Sequence, residues 1–475
     1  MRIHIAAAVL AVGLTSGCAA EASPAPTLEW RACAENSDVQ CATVQVPIDW
    51  SRPEGEQIGI AVARRPAADP AQRIGPLISM PGGPGTSGVD EMLKGRKFSA
   101  ELHNRFDVIS FDPRGVGRSH PIRCDAGLAS AQLNLVPGPD VQLVDVHAHA
   151  RELAASCRAH SGALLDHVDA VSVARDIEAV RAALDAERIT LYGRSYGTMP
   201  GQAYTELFPA HVRAVLLDSV DDHSLDGAAF LASEARAGQH AFDEFARWCV
   251  RTASCALHGR DVGALYGDLF DRARRHELRD PARPGTSVTA LELSIATTMP
   301  LYKPDWPALA QTLRALDEQP RQQPVAPVAP VASGTAKPMP EVIFCADWTF
   351  DIPAHADWER LWQQQNRNAP TVRTHFAWSA ASLCSGWPVR AANPPHVPRL
   401  PATLPPTLLM NGSHDPATPL EWAQGVQRNT PGAALLVYAG PGHGIYDRSV
   451  CTVGAADRFL VDLTFPAPPA ACPAA

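Results

Sequence analysis

The sequence lacks the features of nucleic-acid-binding, membrane-spanning and cofactor-dependent proteins. Its formal net charge is −9 and it has no basic cluster, which argues against a nucleic-acid partner. Beyond the N-terminus, no apolar stretch reaches the roughly 18 residues that suggest a membrane helix. There is also no C-x-x-C, no H-E-x-x-H, no P-loop and no dinucleotide-binding G-x-G-x-x-G. We therefore expect neither a metal nor another cofactor.

The N-terminus predicts export. Arg2 precedes the apolar run IHIAAAVLAVGL, which is too short to span a bilayer and is typical of a secretory signal. Small residues then lead to Cys18, as in a bacterial lipobox, although Thr15 stands where Leu or Val is usual. We expect a signal peptide with a lipobox over residues 1–18 and a flexible tether over 19–29. The alternative is ordinary secretion, with no lipid to attach the chain to a membrane.

The cysteine content agrees with export. Eleven cysteines are present, and setting Cys18 aside leaves ten, an even number that suggests disulfides in an exported protein. Sequence alone leaves the connectivity open. Because several pairs are close along the chain, we expect each cysteine to pair with the next; buried free thiols are the alternative. The candidates are Cys33, Cys41, Cys124, Cys157, Cys249, Cys255, Cys345, Cys384, Cys451 and Cys472.

Alternating strand and helix patterns predict an α/β protein with a mostly parallel sheet. Short apolar runs bounded by Pro and Gly indicate strands, and the run 169–185 has the spacing of an amphipathic helix. Such alternation is typical of a parallel sheet flanked by helices. The expected strands are 41–46, 58–64, 75–80, 106–111, 188–192, 212–218, 407–412 and 434–440.

The pattern changes in the middle of the chain. Residues 222–394 are mostly helical and include the proline-rich stretch 322–340, which cannot form regular structure. The strand pattern then returns, and a last helix is expected near 450–463. We therefore expect a core built from 30–221 and 395–475, with 222–394 inserted as a helical cap.

A serine between two glycines is the strongest candidate for chemistry. Ser195 follows a predicted strand and precedes a predicted helix, the context of a nucleophile in a G-x-S-x-G turn. A serine hydroxyl needs a base that is oriented by a third group. Asp415 and His443 follow the last two predicted strands, in the order acid then histidine. Each alone would be a plain turn or loop residue, but three placements at strand ends favour a triad. The rivals are Asp218 as acid and His414 and His396 as bases.

A nucleophilic serine also needs backbone N–H donors for the oxyanion. The amide after the nucleophile, on Tyr196, is the first candidate. The second is expected in the glycine-rich loop MPGGPG, where we choose Gly83 over its rival Gly82. The stretch DPRGVGRS, with Asp112 and Arg114, is expected to brace the loops around the site.

The motifs PGGPG, DPRGVGRS, GRSYG, NGSHDPATP and GPGHG together resemble the α/β-hydrolase family. Within it they resemble the prolyl-iminopeptidase-like branch, and more narrowly the exported tripeptidyl aminopeptidases of actinobacteria, from about Trp30 to the end. Relatives that cleave after proline carry His before GGPG, where this chain has Pro81, and the tripeptidyl branch tolerates Pro. The resemblance implies a serine exopeptidase without metal or cofactor. We expect a monomer.

The resemblance leaves the substrate open, since members of one fold act on different substrates. A peptide, or a small amide or ester, is the expected partner. An aminopeptidase must bind a free amine, and Glu341 and Asp347, beside Cys345 in the cap, are the candidate carboxylates. Both would otherwise be ordinary surface or helix-start acids. The alternatives are an esterase or a dedicated amidase acting on a natural product or prodrug, and a non-catalytic binding protein on the same scaffold.

Overall fold

The computed structural model describes residues 28–131, 133–138, 141–281, 283, 285–325, 333–337, 340–373 and 376–474. The predicted signal peptide, Cys18 and most of the tether lie outside these residues. The described strands are β1 (Arg31–Ala32), β2 (Gln40–Pro47), β3 (Gln57–Arg65), β4 (Gly75–Met80), β5 (Phe106–Phe111), β6 (Cys124–Asp125), β7 (Ile189–Ser195), β8 (Val212–Val220), β9 (Thr335–Ala336), β10 (Thr407–His414), β11 (Ala434–Pro441) and β12 (Ala471–Cys472).

The helices alternate with these strands, and within the described ranges none is long and apolar enough to cross a membrane. They are α1 (Gly88–Lys94), α2 (Ala100–Arg105), α3 (Ala126–Ala129), α4 (Leu143–Ser161), α5 (Ala170–Ala183), α6 (Thr198–Leu207), α7 (Gly227–Arg251), α8 (Val262–Arg274), α9 (Ala290–Tyr302), α10 (Trp306–Asp317), α11 (Glu341–Phe344), α12 (His355–Asn368), α13 (Phe376–Ser385), α14 (Leu420–Asn429) and α15 (Val450–Asp462).

One large sheet organises the molecule, with strand order β1-β2-β3-β5-β4-β7-β8-β10-β11-β12. The pairs β1–β2, β2–β3 and β3–β5 at the first edge are antiparallel. All later pairs in this order, from β5–β4 to β11–β12, are parallel. Strands β6 and β9 form a separate antiparallel pair. The expectation that 322–340 holds no regular structure is therefore wrong at Thr335–Ala336, which pair with Cys124 and Asp125. The predicted α/β fold with a mostly parallel sheet is confirmed.

The central strands are buried on both faces. On β4, Ile78 packs into one apolar cluster and its neighbour Leu77 into the other; Ile109 and Val108 divide in the same way on β5. Both faces of the sheet are therefore covered, which explains why these strands are continuous apolar runs in the sequence. The carboxyl ends of the parallel strands meet at one edge, where α/β proteins bind their ligands.

The region predicted to be a cap, residues 222–394, contains α7 to α13 and β9. Its longest helix, α7, starts after Asp226, whose side chain accepts a hydrogen bond from a first-turn amide. The ring of Phe230 on α7 lies 4.3 Å from that of Trp348 and 5.1 Å from that of Trp422 on α14, measured between centroids. Helix α7 thus packs both on its own region and on a helix that flanks the sheet.

The loop after β5 is held by buried charges. Arg114 donates to Asp176 at 2.7 and 2.5 Å, and both side chains are fully buried. Its remaining N–H groups reach the carbonyl oxygens of Ile48 and His167, at 2.7 and 3.1 Å. Asp112 accepts hydrogen bonds from the amide of Val89 in α1 and from that of Arg118 in the loop. Removing one partner of such a buried pair costs about 3–5 kcal/mol, so loss of either side chain would destabilise this loop.

Five disulfides join the ten cysteines in consecutive order. The bonds are Cys33–Cys41, Cys124–Cys157, Cys249–Cys255, Cys345–Cys384 and Cys451–Cys472. Two of them, the second and the fourth, close loops of 33 and 39 residues. The Cys345–Cys384 bond ties the segment directly after α11 to α13.

Candidate active site

Ser195 is the last residue of β7, and a tight turn connects it to α6. Its φ is 56°, a left-handed conformation that costs a non-glycine residue about 1–3 kcal/mol and persists only where the surroundings impose it. The flanking glycines are required by packing. A Cβ on Gly193 would lie 2.5 Å from the Gly197 carbonyl oxygen, and a Cβ on Gly197 would lie 2.5 Å from the Met80 carbonyl oxygen. The turn therefore presents Ser195 at the carboxyl edge of the sheet.

The loop after β4 packs directly on this turn. A Cβ on Gly82 would lie 3.0 Å from the Cβ of Ser195 and 2.8 Å from the Arg194 carbonyl oxygen, so only glycine permits the approach. Gly83 follows with a φ of 113°. The backbone N–H groups of Gly83 and Tyr196 donate no hydrogen bond to another residue that the structure describes. Both remain available to an external acceptor near the serine.

Asp415 and His443 lie against each other at the ends of two neighbouring strands. Asp415 directly follows β10, and His443 follows β11. His443 Nδ1 is 2.9 Å from Asp415 Oδ1 and 3.0 Å from Oδ2. The Asp415 side chain is fully buried and that of His443 is 11% exposed. Because the carboxylate contacts Nδ1, the other ring nitrogen, Nε2, is left for a different partner.

Further donors surround the Asp415 carboxylate. The amides of Ala417 and Thr418 donate to Oδ1 at 2.9 and 3.0 Å, and the hydroxyls of Ser219 and Thr418 donate to Oδ2 at 2.7 and 3.1 Å. Burial acts to raise the pKa of Asp415, but His443 and the amide hydrogen bonds outweigh it, so the pKa is lowered. Asp415 is therefore ionised at neutral pH. Sequence reasoning missed Ser219 and Thr418, because a hydroxyl near a strand end carries no motif.

Ser219 also connects the acid to the histidine loop. It lies near the end of β8 with a φ of 59°. Its hydroxyl donates to Asp415 and accepts a hydrogen bond from the Gly444 amide at 2.8 Å. The residue before this glycine, His443, is thereby fixed relative to Asp415 by a second bridge, in addition to their direct contact.

The histidine loop meets both the serine turn and the cap region. A Cβ on Gly444 would lie 2.9 Å from Cδ of Arg194, the residue directly before Ser195. On the other side, the His443 amide donates to the Tyr302 carbonyl oxygen at 2.8 Å, and their ring centroids are 5.2 Å apart. The histidine loop thus contacts both the residue before Ser195 and the last residue of α9.

The rival residues make other contacts. Asp218 is fully buried and accepts hydrogen bonds from the Tyr192 hydroxyl at 2.8 Å and from the Ile445 and Tyr446 amides at 2.7 and 3.0 Å. It braces the histidine loop and binds no imidazole. The two alternative bases also face acids other than Asp415. His396 contacts Glu206 on α6, and His414 contacts Glu244 on α7.

Asp347, one of the two acids predicted to bind an amine, is fully buried behind the serine turn. It accepts hydrogen bonds from the Tyr196 hydroxyl, from the Ala170 amide at 2.9 Å and from Asn393 Nδ2 at 2.7 Å. Burial is the main cause that raises the pKa of Asp347, to about 7. Asp347 thus joins the cap region to the residue after the serine.

Glu341, the other predicted acid, is the first residue of α11. Its Oε1 accepts a hydrogen bond from the Ser379 hydroxyl at 3.2 Å. Its Oε2 is buried and has no hydrogen-bond partner among the described residues. Burial raises the pKa of Glu341. A buried carboxylate oxygen without a donor is costly in the absence of a ligand.

A further pair of buried acids, Asp221 and Glu234, lies near the same place. Asp221 directly follows β8, and Glu234 lies on α7. Burial raises the pKa of Asp221, and the negative charges of Glu234, Asp415 and Asp347 raise it further. Burial is the main cause that raises the pKa of Tyr302, and the negative charges of Glu234, Asp415 and Asp221 raise it further. In the sequence, Asp221 could be noticed as a site residue only because it follows a strand. Nothing in the sequence distinguishes Glu234 from other acids on helices.

Known proteins resemble this chain over most of its length. A family model described as the alpha/beta hydrolase fold matches residues 75–449. Serine protease Hip1 of Mycobacterium tuberculosis is 30% identical, covering 94% of this chain and 91% of that protein. Tripeptidyl aminopeptidase of Streptomyces lividans is 31% identical, covering 88% and 81%. Carboxylesterase B of Mycobacterium tuberculosis is 33% identical, covering 93% and 89%.

Proposed function

The chain belongs to the α/β-hydrolase family, and we propose that it is an exported serine peptidase whose catalytic triad is Ser195, His443 and Asp415. The observation that carries this proposal is the contact of His443 Nδ1 with both oxygens of a buried, ionised carboxylate. The loop that carries His443 also contacts the side chain of Arg194, the residue directly before Ser195. A base that is oriented on one side and free on the other is what a serine nucleophile requires.

In the proposed reaction, Ser195 Oγ adds to the substrate carbonyl carbon while His443 Nε2 takes the hydroxyl proton. The tetrahedral intermediate then collapses. The C–N bond breaks, the imidazolium gives its proton to the leaving amine, and an acyl-enzyme remains on Ser195. Water repeats the sequence with the same base, releasing the acid and restoring the serine. Asp415 stays ionised throughout, holds the Nδ1–H tautomer and stabilises the imidazolium.

The oxyanion is assigned to two backbone amides, those of Tyr196 and Gly83. Both are without an acceptor in the described part of the chain. The close approach of Gly82 to Ser195 supports a role for the neighbouring Gly83 amide. N–H groups that are already fixed stabilise the developing negative charge without reorganisation.

Cleavage near a free N-terminus is the second part of the proposal. Asp221, Glu234 and Asp347 are buried; burial raises the pKa of Asp221, and the negative charges of Glu234 and Asp347 raise it further. A substrate ammonium placed among them would relieve that repulsion. Glu341, whose Oε2 has no described partner, adds a further negative group from the same segment as Asp347. The distance from these acids to Ser195 would then set the release of di- or tripeptide units.

The shape of the site supports the same proposal. We assign residues 222–394 to a cap over the core formed by 30–221 and 395–475. The cap contacts the proposed base through Tyr302 and the serine turn through Asp347. A covered site admits chain ends better than folded proteins, and a relative is named tripeptidyl aminopeptidase.

An esterase or dedicated amidase is the alternative function. It is favoured by the similarity to a protein named carboxylesterase B, because the triad chemistry is common to esters and amides. A panel of aminoacyl, dipeptidyl and tripeptidyl anilides beside short-chain nitrophenyl esters separates the two. Peptidase function requires the di- or tripeptidyl anilides to have the highest kcat/KM. Turnover of esters alone would favour the alternative.

The triad itself is tested by chemical labelling. A fluorophosphonate probe should label Ser195 and no other serine. Ser195→Ala should lower kcat by about a thousandfold or more while leaving the temperature of unfolding nearly unchanged. Labelling at another serine, or turnover retained by the variant, would contradict the assignment.

Export and lipidation are proposed on the signal-like N-terminus and on the five disulfides, which form and persist in oxidising compartments. If Cys18 carries the lipid, the wild type partitions with membranes and Cys18→Ser is released into the medium. Equal release of both forms into the medium would exclude lipidation of Cys18 and favour ordinary secretion. We propose that the mature protein is a monomer, which the mass measured by light scattering tests.

A further inference from the structure

Three side chains that commonly bind metals meet beside the strand that leads to Asp415. His240 and Glu244 lie on α7, and His414 is the last residue of β10. One possible ligand atom from each lies within 4.8 Å of the other two. The ring centroids of the two histidines are 4.7 Å apart, and His414 Nδ1 is 3.6 Å from Glu244 Oε1. None of the three takes part in the proposed catalysis.

Local structure explains why the three converge. His240 and Glu244 are four residues apart on one helix, so their side chains project from the same face. The pairing of β10 with β11 shifts register between Gly412 and His414, and such an irregularity re-aims the side chains at a strand end. As a result, a residue of the core strand contacts the first helix of the cap region.

One buried nitrogen of this cluster makes no hydrogen bond within the described chain. His414 Nδ1 is buried and makes no hydrogen bond to the residues that the structure describes. A buried imidazole nitrogen without a partner is costly, and a cation bound to its lone pair removes that cost. Glu244 Oε1 lies 3.6 Å from this nitrogen, which is too far for a hydrogen bond, so the nitrogen still needs a ligand.

We propose that His240, Glu244 and His414 bind one transition-metal dication of the zinc type. Two imidazole nitrogens and one carboxylate oxygen match the three protein ligands of many open zinc sites, in which water fills the fourth position. Magnesium and calcium prefer oxygen ligands throughout. Metal–nitrogen bonds of about 2.0–2.1 Å require the side chains to close slightly, which the exposed His240 can do by rotation.

The sequence motifs argued against zinc, and the spatial arrangement revises that expectation. A helical H-E-x-x-H supplies its ligands from neighbouring positions. Here two ligands come from α7 and the third from β10, far along the chain, so a search for short motifs cannot find the set. A metal ion bound by these three side chains would fix α7 to the end of β10, next to the proposed triad acid. It would thereby join the cap region to the core.

One neighbouring cation competes for the site. Arg247 donates a hydrogen bond to Glu244 Oε1, and its side chain is 50% exposed. An ion pair at such an exposed surface contributes little to stability. The guanidinium can therefore leave when a dication arrives. Asp243 instead accepts a hydrogen bond from Gln239, which leaves Glu244 as the carboxylate that faces the two histidines.

The test is a calorimetric titration of metal-free, full-length protein with Zn²⁺. We expect one Zn²⁺ per chain in the wild type, and binding weakened by about tenfold or more in His240→Ala and in Glu244→Gln. The matched control is Glu359→Gln. Glu359 forms the same helical spacing with His355 at 3.4 Å, but no third ligand completes that pair in the described chain. This control should bind Zn²⁺ like the wild type.

Thermal unfolding supplies a second readout. A ligand that binds only the folded state stabilises it, so Zn²⁺ should raise the Tm of the wild type and of Glu359→Gln, but not that of His240→Ala. The proposal is overturned if the wild type shows no saturable binding. It is equally overturned if both His240→Ala and Glu244→Gln bind as the wild type does. Because neither measurement uses a substrate, failure here leaves the catalytic proposal untouched.

Discussion

Tyr196, the residue after the proposed nucleophile, donates its phenolic hydrogen bond to Asp347 in the cap region. The two side chains are buried, and their sequence positions are 151 residues apart. The turn that presents Ser195 is therefore coupled to the segment proposed to receive the substrate amine. A change in the ionisation of Asp347 acts directly on that turn.

This coupling predicts a pH-dependent stability. The pKa of Asp347 is raised from 3.8 to about 7 by burial. Between these values the unfolded chain loses this proton while the folded protein keeps it, so the stability from Asp347 is present below about pH 4 and is lost as pH rises toward 7. The free energy of unfolding of wild type relative to Asp347→Asn should fall over this range, by at most about 1.4 kcal/mol per pH unit. Denaturant unfolding at several pH values measures it, and a constant difference would contradict the prediction.

The acid of the triad is tested against its rival. Asp415→Asn should lower kcat by roughly ten thousandfold, because an amide no longer holds the Nδ1–H tautomer of His443 or stabilises the imidazolium. The matched control is Asp218→Asn, which alters an equally buried acid that bonds to Tyr192 and two amides. The control should lose stability while retaining most of its kcat. A larger loss of kcat in the control than in Asp415→Asn would reverse the assignment.

Ser219 is predicted to be a positioning residue. Ser219→Ala removes both the hydrogen bond to Asp415 and the acceptor of the Gly444 amide, and it should lower kcat by about tenfold with little change in KM. Leaving the amide unpaired should also cost about 1–3 kcal/mol of stability. Thr205→Ala, which removes a buried hydroxyl bonded within α6, is the control and should keep its kcat. Equal kcat values for Ser219→Ala and wild type would exclude the role.

Much of the fold and of the candidate site follows from the sequence. The predicted strands 75–80 and 106–111 coincide with β4 and β5, and the last helix starts at Val450 as expected. These elements are short apolar runs or amphipathic repeats between glycines and prolines, so local pattern is sufficient. Ser195, Asp415 and His443 could be proposed from the sequence because each lies at or just beyond the end of such a strand.

The missed residues depend on long-range packing. Ser219 reaches Asp415 from a different strand and with a positive φ, and neither property has a sequence signal. Glu234 is one of many acids on helices until the fold buries it. The metal-ligand cluster combines α7 with β10 in the same way. Local periodicity determines which helices and strands form. Which side chains meet across two elements depends on how those elements pack.

The disulfides make a prediction about loop length. Cys345–Cys384 closes a loop of 39 residues and Cys33–Cys41 one of 8. In the chain-entropy account the longer loop stabilises more, by about 1.4 kcal/mol. Replacing Cys345 and Cys384 by Ala should therefore lower the free energy of unfolding more than replacing Cys33 and Cys41. Denaturant titration of both double variants compares them, and the reverse order would contradict the account.

The central claim is that a substrate ammonium, held by buried carboxylates, directs Ser195 to bonds near a free N-terminus. The most direct test compares kcat/KM for a tripeptidyl anilide with and without an acetyl group on its N-terminus. Losing one partner of a buried charge pair costs about 2–5 kcal/mol, so acetylation should reduce kcat/KM by roughly thirtyfold or more in the wild type. Asp221→Asn, Glu234→Gln or Asp347→Asn should remove most of that preference, while hydrolysis of nitrophenyl esters persists. Equal cleavage of the free and acetylated anilides by the wild type would contradict the claim and favour the esterase or dedicated-amidase alternative.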